Sequence, residues 1–337
     1  MRPRLSATSP SLAFALFAGV AAFALAAFAP GLLNDSDTYW HIRAGEWMLA
    51  HHQILRSDVF SYTAAGTPWH TQEWLSELAM ALAWGARGWQ AIHLLFALCA
   101  AVTAGVVGYF VRARMAPVPA LVTVLLGLAC VTGSLLARPH MLALPLLALW
   151  TAGLVAAREH NRAPHWLLIV AMPLWANLHG SFAFGLALAG ALALEAVMES
   201  EDRHRSARDW SLFLAAAAAA AIVTPFGIQT LLFPLRLMAM GGIGHIGEWQ
   251  ASDFSHLSPF AIAVLALIGT LATGSVRIAW PRLAILMAIL WLALNHSRHQ
   301  MLLGVTAPIL LAKPLARRWP AADHGGKPLY PALAAAG

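Results

Sequence analysis

Runs of apolar residues long enough to cross a bilayer recur along this chain, parted by short polar knots. A spanning helix needs about 20 such residues, usually about 17–25. One run covers 11–33, and nine more follow at 89–111, 117–136, 139–157, 165–179, 181–198, 210–226, 258–276, 280–295 and 299–314. Backbone groups inside a membrane must be satisfied internally, which for unbroken runs of this length means helices. The sequence therefore predicts an all-α polytopic membrane protein with about ten transmembrane helices. Of the 337 residues, 60% are hydrophobic and 11% charged, against about 25% charged in soluble domains. That balance excludes a water-soluble single core. The two cysteines, Cys99 and Cys130, both lie inside apolar runs and read as packing residues.

Charge orients the spans. The formal net charge of +6 would point to nucleic acid in a soluble chain, but here the basic residues sit in short loops and no nucleic-acid partner is expected. The first run follows Met1-Arg-Pro-Arg4 and exceeds a signal core of about 7–15 residues, so it reads as an uncleaved anchor. With ten spans and the N-terminus inside, 15 of the 21 basic residues, Arg2, Arg4 and Lys327 among them, fall on inner loops. Arg43, Arg56, Arg87, Arg138, Arg236 and Arg298 stay outside. Cytoplasmic loops accumulate Lys and Arg in this way. Residues 1–318 then form a single transmembrane domain, and 319–337 a disordered cytoplasmic tail. The segment Glu73–Ala86 is apolar but short, and a crossing there would turn the Arg clusters outward. It reads as interfacial or re-entrant within an outer loop, 34–88.

Under this topology the polar knots gather on the outer face, and membrane-edge ionisable groups usually face a cavity or each other. Asp35 and Asp37 come where the first run ends, and 38–52 looks like an interfacial helix with Trp40, Ala44, Trp47 and Met48 on one face. Asp37 and His41 stand one turn apart, and Arg43 can pair with Glu46 at i,i+3. An N-cap Asp35 beside a solvated Asp37 would give the same pattern. Arg138 and His140 flank Pro139; the guanidinium suits an oxyanion, or simply snorkels to headgroups. Asn177 and His179 lie between two spans, as ligands or as a satisfied structural pair. Glu73, Arg298 and His299 complete the outer set. The fifteen histidines show no zinc spacing. Asp35 and Asp37 with Mg²⁺ or Mn²⁺ and a phosphate are the better metal candidate, and no nucleotide-binding loop is present.

The stretches Asn34-Asp-Ser-Asp-Thr-Tyr-Trp-His-Ile-Arg-Ala-Gly-Glu-Trp47, Arg56-Ser-Asp-Val-Phe-Ser-Tyr-Thr63 and Trp69-His-Thr-Gln-Glu-Trp-Leu75 resemble a group of bacterial integral-membrane proteins related to the GT-C glycosyltransferases. Arg138-Pro-His140, Trp175-Ala-Asn-Leu-His-Gly180, Pro225-Phe-Gly227 and Glu248-Trp249 are similar to recurring elements of that group. The resemblance implies a GT-C-like fold in a bacterial inner membrane, facing the periplasm, with a polyprenyl-(di)phosphate sugar as donor. Asp35 would then be the general base or metal ligand, with Asp37 its partner. By their chemistry more than by motif, Arg138, His140 and Arg298 are expected to face the leaving phosphate, and His41, Arg43, Glu73, Asn177, His179 and His299 the substrate. The alternatives are a non-catalytic binder or transporter of lipid-linked anions, and a lipid-sugar polymerase or ligase of another fold.

Overall fold

A computed structural model describes residues 9–239, 241, 242 and 245–321. Arg2, Arg4, Lys327 and most of the expected tail, 322–337, lie outside the described residues. The described chain is all-helical, with thirteen α-helices and no strand among the described residues. These are α1 (Pro10–Ala27), α2 (Asp37–His51), α3 (Trp74–Arg87), α4 (Trp89–Arg112), α5 (Pro117–Val131), α6 (Pro139–Glu159) and α7 (Ala171–Leu178). After them come α8 (Phe182–Glu199), α9 (Arg203–Ala221), α10 (Gln229–Met238), α11 (Pro259–Ala272), α12 (Trp280–Asn295) and α13 (Gln300–Ala316).

Helices stand at every one of the ten expected places. Five of them are long and apolar enough to cross a membrane: Pro10–Ala27, Trp89–Arg112, Pro117–Ser134, Pro139–Glu159 and Phe182–Glu199. Trp166–Leu178, Pro259–Ala272 and Trp280–Asn295 are apolar but shorter. Their outward side chains are bulky and apolar, as Leu16, Phe17, Val20 and Leu25 on α1 illustrate. Such a surface suits lipid, not water. Prolines mark helix starts, opening α1, α5, α6 and α11, where a missing N–H costs nothing. Inside the bundle, small residues let backbones close up. A Cβ on Gly127 would stand 2.5 Å from the Gly304 carbonyl oxygen, so α5 and α13 cross through these two glycines.

The loop 34–88 forms the two expected helices, α2 and α3, but they pack on each other. Ala44 and Met48 are buried with Leu55, against Trp40, Trp47, Trp74 and Leu78. A Cβ on Gly45 would meet the Glu77 carbonyl oxygen at 2.0 Å, so glycine alone permits this approach. The face expected to lie in headgroups is therefore turned partly into protein. At the other end of the chain, Trp319 and Ala321 pair by hydrogen bonds with Ala116 and Arg114.

Candidate functional site

Arg138 precedes a proline, which steers its backbone out of the helical region. It is extended, at φ −124° and ψ 158°, and caps α6 from outside the helix. Ala137 on its N-terminal side donates to the Leu32 carbonyl (2.8 Å) and accepts from the Thr38 hydroxyl (3.0 Å). These bonds tie the start of α6 to the exit of α1 and the entry of α2. The guanidinium thereby meets Asp35 and Asp37, about a hundred residues away in sequence.

Three carboxylates surround that one guanidinium. Asp35 receives both Nε and Nη2 of Arg138, and its Oδ1 also accepts the Asp37 amide at 2.9 Å. Asp37 stands 2.8 Å from Nη2, and Glu248 accepts from Nη1 at 2.7 Å. Glu248 reaches on to Arg298 at 3.2 Å, and Arg298 lies 4.3 Å over the Trp249 ring. Burial alone would raise the Asp35 carboxyl; the Arg138 hydrogen bond and charge outweigh it and hold the group below its usual range.

A cavity of about 480 Å³ opens beside this network. Asp37, His41, Glu73, Arg138, His140, His179 and Arg298 line it, along with Trp40, Glu248 and Gln300. Glu73 caps α3 and faces His179 Nε2 at 3.3 Å. The His179 Nδ1 accepts the Ser181 amide (3.1 Å), so in the neutral ring Nε2 carries the proton, on the side that faces Glu73. Burial pushes the Glu73 carboxyl up to about 7, with the Arg298 charge opposing. Burial likewise drives His179 well below its ordinary value. Behind the wall, His41 Nδ1 and Glu77 Oε1 stand 3.3 Å apart. Burial lowers His41 to about 3 and raises Glu77, making them a neutral pair.

Not every expected site residue arrives. Arg43 points to the exposed face of α2, where it binds Glu46 at 2.6 Å. Asn177 is committed to structure: it accepts from Trp74 Nε1 (2.6 Å) and donates to the Pro173 and Val223 carbonyls. His299 lies against His296, with ring centroids 5.5 Å apart, outside the cavity lining. Asp35 stands behind Arg138, outside that lining too. The Mg²⁺ or Mn²⁺ expectation does not fit the donors. Both Asp35 oxygens turn to Arg138, and no group of three or more His, Cys, Asp or Glu able to hold a metal gathers among the described residues.

The motifs meet one another. Gln72 Nε2 donates to the Ala176 carbonyl (2.8 Å) and Ser76 Oγ to that of Leu178 (2.7 Å), satisfying carbonyls at the end of α7. Trp74 to Asn177 and Glu73 to His179 complete this seam. Arg56 donates to the Pro225 carbonyl (2.9 Å), and His70 stacks on Phe233 and lies tilted against Phe226. Sequence reasoning quoted Glu248-Trp249 as a recurring pair but missed Glu248 as the bridge between the arginines. No protein-family model, curated protein or solved structure matches the chain.

Proposed function

We propose that the protein is an integral-membrane glycosyltransferase of GT-C type, moving a sugar from a polyprenyl-(di)phosphate donor to an acceptor hydroxyl. One observation carries this reading. A single cavity combines a carboxylate free of any cation contact (Glu73), an arginine with unclaimed donors (Arg298) and an aromatic ring (Trp40). Carboxylates accept from sugar hydroxyls, an aromatic face stacks on the sugar ring, and the guanidinium fork takes the phosphate.

An apolar groove supports a lipid carrier. It measures about 360 Å³ and is lined by Val122, Leu126 and Cys130 on α5, Leu267 on α11, and Leu303 and Leu311 on α13. The cavity is bordered by Ser134, in the turn just after α5, and by Phe260 and Met301 in the first turns of α11 and α13. A donor with its head in the cavity could lay its chain along this groove. Twelve of the described basic residues, Arg112 to Arg318, lie at helix ends remote from the cavity. Positive residues favour the cytoplasm, which supports a periplasmic cavity in a bacterial inner membrane.

In this reading Glu73 is the general base. The acceptor oxygen attacks the anomeric carbon, its proton passes to Glu73, and the bond to the phosphate oxygen breaks. The departing phosphate keeps the electron pair and meets Arg298. Asp35 positions Arg138, and Asp37 and Glu248 offer oxygens to sugar hydroxyls. No step runs through a metal. The test is transfer of labelled sugar from polyprenyl-phosphate and polyprenyl-diphosphate donors by protein in liposomes. Glu73→Gln should slow turnover about 10²–10⁴-fold, with Glu73→Asp partly active. A parent protein that binds donor without transferring sugar would favour the carrier reading; transfer unchanged in Glu73→Gln would remove the base assignment.

A further inference from the structure

The bundle end opposite the cavity holds a second polar site. The last turns of α6, α8 and α13 and the first turn of α12 enclose a cleft of about 160 Å³. Three carboxylates line it, and each has its own arginine. Arg282 grips Glu195 with Nε and Nη2 (2.7 and 2.6 Å). Arg158 donates to Glu199 at 2.8 Å, and Arg114 binds both oxygens of Glu159. The same cleft is lined by Arg277, Lys313 and Arg317, whose side chains make no ion pair or hydrogen bond among the described residues. The buried Nε of Arg158 also lacks a hydrogen-bond partner.

Three cations therefore converge on a cleft whose own anions are spent. Helix C-termini attract cations and account for Lys313 and Arg317 singly. They do not account for Arg277, which comes from the turn before α12, or for all three facing one space. Apolar groups adjoin these cations: Ile278, Ala279 and Pro314 line the cleft, and Leu194 and Trp280, each next in sequence to a lining residue, are 62% and 66% exposed. A soluble anion gains nothing from these groups, whereas lipid chains would lie over them.

We propose that this cleft binds the phosphate headgroup of an anionic phospholipid of the surrounding leaflet, held by Arg277, Lys313 and Arg317. It needs no assumption about sugar transfer. The test is native mass spectrometry and thermal unfolding of the full protein in detergent, with phosphatidylglycerol or phosphatidylcholine added. The triple variant Arg277→Gln, Lys313→Gln, Arg317→Gln is compared with Arg203→Gln, Arg205→Gln, Arg208→Gln, which removes equal charge at the same end outside the cleft.

Phosphatidylglycerol should bind and stabilise the parent and the α9 variant. Its affinity should fall on the order of 100-fold in the cleft variant. Equal losses in both variants would overturn the proposal in favour of diffuse attraction. Equal binding of the two lipids would also overturn it, as would equal protection by glycerol phosphate, which would mark a site for soluble anions. If the triple variant does not fold, Arg277→Gln alone, in a loop, should still weaken binding about fivefold, and no weakening there sinks the idea.

Discussion

The two ends of the helix bundle bring arginines and carboxylates together with opposite surpluses. At the end formed by α6, α8 and α13 each carboxylate is claimed by an arginine, and three cations remain. At the cavity end two arginines are shared among Asp35, Asp37 and Glu248, and Glu73 remains with only a histidine for partner. The surplus decides what each end can recruit. Spare cations lining a cleft would attract a phosphate from outside. A spare carboxylate raised by burial instead holds a proton near neutrality and could exchange it with a hydroxyl.

Removing the central arginine at each end should break the comparison most severely. Arg138→Ala strands Asp35, whose side chain is 5% exposed and would keep only the Asp37 amide. A buried charge left alone costs about 3–5 kcal/mol. Arg282→Ala strands Glu195, but Arg158 stays 3.6 Å away. Its cost should fall at the low end, about 3 kcal/mol. Unfolding in detergent at pH 7 should rank Arg138→Ala as the weaker protein. Lowering the pH toward 4 should narrow the gap, since a stranded Asp35 can then take a proton. The reverse ranking would mean that the Asp35 pocket is wetter than its burial implies.

Glu73 sharpens the contrast through pH. Its folded value of about 7 exceeds the unfolded 4.5, so the folded state holds the proton more tightly. Stability from this group is full below the unfolded value and is lost as pH rises through about 7. Glu73→Gln keeps the size of the side chain beside His179 and cannot ionise. It should match the parent at pH 4 and exceed its stability at pH 8 by up to about 3 kcal/mol. Glu159→Gln at the far end should lose stability at pH 8, because it gives up a bidentate arginine. A parent and Glu73→Gln that unfold alike at pH 8 would return Glu73 to the class of ordinary, solvated carboxylates.

A smaller effect is expected from Glu248→Gln, which cuts the bridge between Arg138 and Arg298. Its side chain is one-third exposed, so the stability loss should be about 1 kcal/mol. The freed guanidinium donors should tighten pyrophosphate binding several-fold by calorimetry. Unchanged binding would argue that neither arginine faces the cavity anion.

Helix positions could be read from apolar runs because the period of burial and the length of a run are local properties. The meeting of Asp35 with Arg138 followed from topology alone: both sit where a run ends on the same face. Glu248 and Glu77 could not be assigned in this way. Glu248 acts by bridging α6 and the start of α13 across a long loop, and the local pair Glu248-Trp249 does not reveal which arginines it meets. Glu77 sits in an apolar helix because Gly45 lets α2 cover it, a contact set by the absence of a side chain. Helix α10 has no counterpart among the expected runs, since a ten-residue segment interrupted by Pro234 carries little periodicity. Asn177 and Arg43 are the converse case, each found in the structural pairing that its sequence also allowed. Polar residues near a cavity are often consumed by capping and pairing before any ligand arrives.

Arg43 provides the weakest and most discriminating substitution. It neighbours His41 in sequence and shares its helix, yet its side chain is 71% exposed and paired with Glu46. Exposed pairs at i,i+3 contribute about 0.3–0.5 kcal/mol, and salt screens them. Arg43→Ala should therefore shift unfolding within that range at low salt and by less at high salt. Sugar transfer and pyrophosphate binding should be unchanged. A substantial loss of either would mean that α2 rotates on binding to bring Arg43 inward, and the division between a fixed acidic cavity and a solvated helix face would have to be redrawn.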